Sequence, residues 1–323
     1  MPKTCTCVVV GGSGFLGQRL CERLLRSGFN VRSVSRSGRP KGRVQSWWSE
    51  VDWVAADLGS AGAFATLDSA ELIFHVASST YPSTSNADAA FDLQSNLLGS
   101  VRMLQAARAR HVRRVIFISS GGTVYGIPRK NPISETHPTE PICSYGIHKL
   151  AIEKYLFLFQ MLDQLNSIVL RVSNMYGECQ DLERPLGAVS HFAHRASTGK
   201  PIEIWGDGTV RRDYVHVDDV VNAFFKALAY EGRERIFNIG SARSVSLNEL
   251  VELIRRRVRR RLFVTYAPPR GFDVPENVLD ISRAGRELDW KPTISLEAGL
   301  DRLLLDSAKP EQAVHSREAS SWE

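Results

Sequence analysis

Tyr145 and Lys149 stand four residues apart in PICSYGIHKLAIEKY, a stretch of helical periodicity, so their side chains share one helix face. A phenol ionises near pH 10 and is a poor base at neutrality, but an ammonium group beside it favours the phenolate. Of the eight tyrosines, only Tyr145 has a lysine at that spacing. In isolation the alternative is an ordinary surface pair, the less favoured of the two readings. A second cluster, FISSGGTVYG at 117–126, sets Ser119, Ser120 and Thr123 directly after an apolar strand. Such hydroxyls either edge an active site or satisfy backbone groups at a strand end.

A third motif gives the pair a partner. VVVGGSGFLGQRL spaces Gly11, Gly14 and Gly17 as G-x-x-G-x-x-G between a strand and a helix. Glycines there permit a tight turn and close backbone approach to a pyrophosphate, while the helix start at Phe15 and Leu16 offers free N–H groups. The next strand normally ends in a carboxylate for the adenine ribose. Here it ends in Ser35 and Arg36, which suits a 2′-phosphate and slightly favours NADP; if Arg36 only stacks on adenine, NAD binds as well. Asp57 and Leu58, ending the third strand, are placed to reach the adenine, and Val76, Ala77 and Ser78, ending the fourth, to line the cofactor.

The elements that must hold these residues alternate. Strands are expected at 7–10, 30–35, 51–55, 72–76, 115–119 and 168–172, with helices at 15–26, 88–110 and 145–165. That alternation predicts an α/β fold: a Rossmann-like, doubly wound parallel sheet with a smaller C-terminal substrate-binding α/β domain. The expected division is 1–174 plus 213–242 for the dinucleotide, 175–212 plus 243–306 for the substrate, and a disordered tail at 307–323. Helices are also expected at 191–198 and 217–230, a returning strand at 236–240, and a capping box at Ser246 and Glu249 opening a helix that runs into RRRVRRR at 255–261.

Together the motifs resemble the extended short-chain dehydrogenase/reductases, and more narrowly the NAD(P)-dependent epimerase/dehydratase family acting on nucleotide sugars. The likeness covers about residues 5–300 and includes Asn96-x-x-Gly99, LRVSNMYG, GDGTVRRDYVHVDDV, FNIG and ELDWKP. It implies that Asn96 belongs to the cofactor site and that Asn174 contacts the sugar diphosphate. It also implies that Arg212 and Arg270 clamp the diphosphate, with Asp273 near the nucleotide ribose and Asn277 near the hexose 2-substituent. The family's catalytic serine or threonine falls at Gly121 here, so Thr123, with Ser120 second, is expected to hydrogen-bond the sugar O4 and guide its proton to Tyr145.

The resemblance implies oxidation at sugar C4 and hydride return to the opposite face, a 4-epimerisation. An NADPH-dependent 4-keto-sugar reductase is the rival reading, favoured by Ser35-Arg36. A dehydratase is disfavoured, because G-G-T lacks the carboxylates typical of that position. The helices carrying Asn96 and Tyr145 resemble those that pair in the family's dimers, so a homodimer is expected.

Composition is that of a soluble globular protein: 323 residues, 43% apolar, 24% charged and a net charge of +6. That charge is mild for a nucleic-acid protein, and six arginines in seven positions at 255–261 cannot share one helix face, so no nucleic acid is expected as partner. No secretory signal or membrane span is expected, which points to a cytoplasmic protein. The five scattered cysteines, at 5, 7, 21, 143 and 179, read as reduced thiols, with no metal site.

Overall fold

Strand β1 (Thr6–Val10) runs into the glycine loop and helix α1 (Phe15–Arg26), and the chain returns through β2 (Asn30–Ser35) to lie parallel beside β1. This computed structural model describes residues 5–41, 44–163, 165–178, 180, 187–269 and 274–307. Beyond β2 come β3 (Asp52–Ala55), the short α2 (Ala61–Ala65) and β4 (Leu72–His75). A broken helix follows, in three pieces: α3 (Ala89–Asp92), a π-helical turn over Leu93–Leu98, and α4 (Gly99–Ala109). The uninterrupted helix expected at 88–110 thus carries a wide turn at Asn96. Then come β5 (Arg114–Ser120), the long α5 (Ser144–Asp163) and β6 (Ser167–Val172).

The second half begins with β7 (Asn174–Tyr176), α6 (Ala188–Thr198), β8 (Ile202–Trp205), β9 (Arg211–His216) and α7 (Val217–Ala229). It continues with β10 (Ile236–Ile239), β11 (Ser244–Ser246), α8 (Leu247–Arg255), β12 (Val264–Ala267), β13 (Glu276–Asn277), α9 (Ser282–Leu288) and α10 (Leu296–Ser307). The main sheet is seven-stranded in the order β10-β6-β5-β4-β1-β2-β3, and every pairing in it is parallel. Its order reverses between β1 and β4, which places a ligand crevice at their C-terminal ends. The smaller C-terminal part holds β7 and β13 against β9, with β11 antiparallel on its other edge, and a separate β8–β12 pair.

Strand alternation splits the sheet's side chains into two cores. Ile116, Phe74 and Leu170 face α1 and α7, while Val115, Phe117 and Ile73 face α4 and α5. A third core of Val189, Phe192, Ile204, Tyr214 and Leu250 packs α6, α8 and α10 in the C-terminal part.

Two of the later motifs prove to be one another's partners. Asp219 of HVDDV accepts Thr293 N and Oγ1 at 3.0 and 2.7 Å and Ile294 N at 3.0 Å, and its carbonyl accepts Trp290 Nε1 of DWKP at 3.0 Å. These residues are scaffold. The capping box at Ser246 and Glu249 forms as expected, but α8 stops at Arg255 instead of running through the arginines. Like charges three and four residues apart oppose a further helical turn there. The helix expected at 191–198 begins earlier, at Ala188. Among the described residues, no helix is long and apolar enough to cross a membrane.

Candidate active site

The glycine loop fits a pyrophosphate. Gly11 adopts φ +92°, and a Cβ there would lie 2.7 Å from the Ala77 backbone, so only glycine lets the β1 and β4 ends close up. Helix α1 has Gly14 as its N-cap, with no capping side chain and no acidic residue in its first turn. The N–H groups of Phe15 and Leu16 therefore have no acceptor within the helix, and the helix dipole adds to their pull on an anion. Ala77 and Val76 lie beside the loop, with Val76 N donating to Val10 O at 2.9 Å.

At the adenine end, Ser35 Oγ donates to Gly38 O at 2.9 Å, which engages its one hydrogen. Arg36 and Asp57 are exposed there, and Leu58 is half-buried. Asn96 is buried instead, and its amide bonds within the protein. Its Oδ1 accepts Ser79 N at 2.7 Å, and its Nδ2 donates to Thr80 Oγ1 at 3.0 Å and Asp92 Oδ1 at 2.9 Å. Asn96 thereby holds the loop after β4 in place.

Tyr145 and Lys149 lie in the first two turns of α5, with Lys149 Nζ 5.6 Å from the Tyr145 ring centre. Lys149 is buried and donates to Ile118 O at 3.0 Å, leaving two further N–H bonds available. Burial depresses its pKa to about 7, against the pull of the Asp92 and Glu153 carboxylates. Burial also pushes the Tyr145 phenol up, aided by Cys143, Tyr81 and Asp92 and opposed by the Ser78 hydroxyl in hydrogen-bonding reach. In the protein alone, desolvation thus dominates and the phenol stays protonated.

The hydroxyls of FISSGGTVYG part company. Ser119 faces α5 and donates to Glu153, which also forms a buried pair with Arg171 at 2.6 Å. It is structural. Ser120 follows on the opposite face of β5 by alternation. Thr123 lies past the strand, its N–H on Ser120 O at 3.2 Å and its buried Oγ1 without a partner. The turn is seated against the helix: a Cβ on Gly146, next to Tyr145, would lie 2.8 Å from Thr123 O.

On the C-terminal side, β9 gathers the expected diphosphate residues. Asn174 pairs in register with Tyr214, and Asn277 with Arg212. Asn174 Nδ2 donates to Asp213 O at 3.2 Å, and Arg212 Nη1 donates to Val274 O at 2.5 Å. Asn277 is buried, its Nδ2 on Gly121 O at 3.1 Å and its Oδ1 unpaired. Arg270 and Asp273 lie outside the described residues.

Two features carried no signal in the spacing. One is a cavity of 610 Å³ beside the β8–β12 pair, lined by Trp205, Asp207, Thr209, Ala267, Pro269 and Pro275. The other is Asp92, fully buried against Ser144 and His148 on either side of Tyr145.

The model of the NAD dependent epimerase/dehydratase family matches residues 7–240. A UDP-glucose 4-epimerase of Mycolicibacterium smegmatis is 36% identical over 91% of this chain and 95% of its own length. A dTDP-4-dehydro-6-deoxyglucose reductase of Escherichia coli is 31% identical over 92% of this chain and 96% of its own. Among solved structures, the UDP-glucose 4-epimerase of Thermotoga maritima with UDP-glucose superposes with a TM-score of 0.87 at 33% identity, covering 93% of this chain and 98% of that one.

Proposed function

Because this chain belongs to the NAD dependent epimerase/dehydratase family, we propose that it is an NAD-dependent nucleotide-sugar 4-epimerase acting on a UDP-hexose. The observation that carries the reading is the Tyr145–Lys149 pair held on α5, with Lys149 Nζ donating to Ile118 O of β5 at 3.0 Å. When bound, NAD would supply a reversible hydride acceptor. Tyr145 takes the proton of the sugar O4 as its C4 hydrogen leaves as hydride, and later returns it. Lys149, with two free N–H bonds, orients the ribose and stabilises the phenolate. Thr123 holds O4; its unpaired buried Oγ1 and its contact with the Tyr145 turn support it over Ser120. Turnover of the transient 4-keto sugar in the site exposes its other face for hydride return.

The diphosphate would lie along β9 at Asn174 and Arg212, with Arg270 and Asp273 completing the clamp, and the base would lie beside Trp205 in the 610 Å³ cavity. On this reading 175–212 and 243–306 form the nucleotide-sugar part, and 1–174 with 213–242 the cofactor part. Asn277, anchored to Gly121, is read as a wall of the hexose site. NAD is the working cofactor in preference to NADP, because the Ser35 hydrogen is already engaged by Gly38. A homodimer through α4 and α5 is supported by Phe157, Leu158, Met161 and Leu162, all exposed on α5.

The reductase reading rests on the Escherichia coli relative and on the exposed Arg36. Incubating the protein with UDP-glucose, UDP-glucuronate and UDP-N-acetylglucosamine, without added cofactor, separates the two. A 4-epimer as product supports the proposal. Turnover confined to a 4-keto sugar with stoichiometric NADPH replaces it with the reductase.

A further inference from the structure

Asp92 has no exposed surface, and its carboxylate gathers four donors from three segments. Oδ1 accepts Thr80 Oγ1, from the loop after β4, and Asn96 Nδ2 at 2.9 Å, from the π-helical turn. Oδ2 accepts Ser144 Oγ at 2.6 Å and His148 Nδ1 at 2.9 Å, from the start of α5. Ser144 and His148 bracket Tyr145, and the His148 ring lies edge-on to the Tyr145 ring at 5.0 Å.

These donors hold a charge without neutralising it. Thr80, Asn96 and Ser144 are neutral, and burial, with Lys149 nearby, depresses the pKa of His148 to about 4, so it is neutral at pH 7. Burial opposes the Asp92 charge, but the bonds from Ser144, Thr80 and His148 together hold its pKa below the ordinary range. The Asp92 anion therefore sits in the interior and must find its balance nearby.

The groups around Lys149 leave one assignment. On α5, Glu153 is tied to Arg171 of β6 at 2.6 Å and to Ser119 of β5, so its charge is matched. His75, on β4, is kept neutral by burial, with its pKa at about 3, and its Nε2 meets Ser100 of α4 at 2.8 Å. His148 is neutral, and Tyr145 is protonated in the protein alone. Among the described residues facing Lys149, Asp92 is the buried anion with no cation in contact.

We propose that Asp92 is a positioning residue whose buried negative charge favours the ammonium form of Lys149 and whose hydrogen bonds to Ser144 and His148 fix the turn carrying Tyr145. The inference rests on the role given above to the Tyr145–Lys149 pair. It gives the pair a third member, on a separate element, that shifts the charge state of the lysine. Removing the anion takes away one of the two carboxylates that oppose burial at Lys149, so its proton is lost at lower pH.

The test titrates Lys149 directly in the full chain saturated with NAD. Carbon-13 at lysine Cε reports the titration by NMR, and loss of one resonance in Lys149→Met identifies it. Asp92→Asn removes the charge at constant size. Asp92→Ser does so while leaving room for water on the four donors, in case Asn cannot satisfy them. In either variant the Lys149 midpoint is expected to fall by about one pH unit or more. Thr80→Val, which deletes one hydrogen bond and keeps the charge, should leave the midpoint where it is. The alkaline limb of UDP-glucose epimerisation should move with the lysine. An unmoved Lys149 midpoint in a folded Asp92→Asn or Asp92→Ser protein overturns the assignment. The lysine signal needs no turnover, so a falling midpoint supports it even where UDP-glucose proves the wrong sugar.

Discussion

Leu279 occupies the space that a side chain on residue 121 would need: a Cβ built on Gly121 would lie 2.5 Å from Leu279 Cδ1. Leu279 is itself fully buried, with its N–H on Asp213 Oδ2 at 3.2 Å, so it has little room to yield. Gly121→Ser should therefore destabilise the protein by about 1–3 kcal/mol and lower turnover instead of restoring a useful hydroxyl. Urea denaturation would show it, and Leu279→Ala in the same chain should recover part of the loss. A Gly121→Ser protein of unchanged stability and higher activity would refute this view of the turn.

The hydroxyl that serves the sugar should be Thr123. Thr123→Val is expected to lower kcat about 100-fold, and Tyr145→Phe by 100-fold to 10,000-fold on the order of general acid–base catalysis. Ser120→Ala should stay within about threefold, since that side chain faces away from α5. Thr123→Ser should retain most activity. Steady-state kinetics at saturating UDP-glucose decide the ranking, and a larger loss in Ser120→Ala than in Thr123→Val reverses it.

Acid should destabilise the fold through two buried imidazoles. Burial depresses the pKa of His75 to about 3 and that of His148 to about 4, below the ordinary histidine value, so the unfolded chain binds more protons below about pH 6.5. Stability is thus complete above that pH and is lost as pH falls toward 4, by up to about 1.4 kcal/mol per pH unit for each ring. His148→Gln should flatten the curve, recovering about 2 kcal/mol of the loss between pH 7 and pH 5. Urea midpoints across that range provide the check; parallel curves for the two proteins would contradict it.

Cofactor preference should follow the bond from Ser35 to Gly38. Calorimetric titration is expected to give tighter binding for NAD than for NADP. Arg36→Ala should weaken NADP about tenfold, the worth of one charged hydrogen bond, and leave NAD within about twofold. Tighter binding of NADP by the unaltered chain would return Ser35 and Arg36 to the role their order first suggests.

The exposed face of α5 should be covered in solution. Met161 and Leu162 are 68% and 67% exposed and Phe157 is 64% exposed, on the same side as Leu158. A patch of that kind on a helix is unusual in a monomer. Light scattering is expected to give twice the chain mass, and Met161→Glu with Phe157→Glu to give one chain. A monomeric unaltered protein ends the dimer proposal.

Much of the frame could be read in order along the chain. Helix α1 and strand β2 fall at the residues their periodicity indicates, because apolar spacing and Gly28 leave one solution. The Tyr145–Lys149 pair was equally plain, since i and i+4 on a helix must be neighbours. Asp92 was not: an aspartate at the start of a helix whose neighbours Ala89, Ala90, Phe91 and Leu93 are exposed looks like a solvated residue, and only tertiary packing buries it. Nor does Asn96 show from its spacing that its amide bonds to Ser79, Thr80 and Asp92. The block at Gly121 comes from Leu279, more than 150 residues further on, and no local pattern records a contact at that range.

The π-helical turn at Leu93–Leu98 has a consequence for length. A π turn adds one residue to the helical path, advancing the phase of everything after it by about 100° relative to an unbroken α-helix. Deleting one residue there would let α3 and α4 fuse into a single straight helix. Asp92 and Ser100 would then be rotated out of step, and one of them would lose its appointed partner, His148 or His75. This chain should accept substitutions of the exposed Leu93 and Gln94 and reject a change in the number of residues between Leu93 and Leu98.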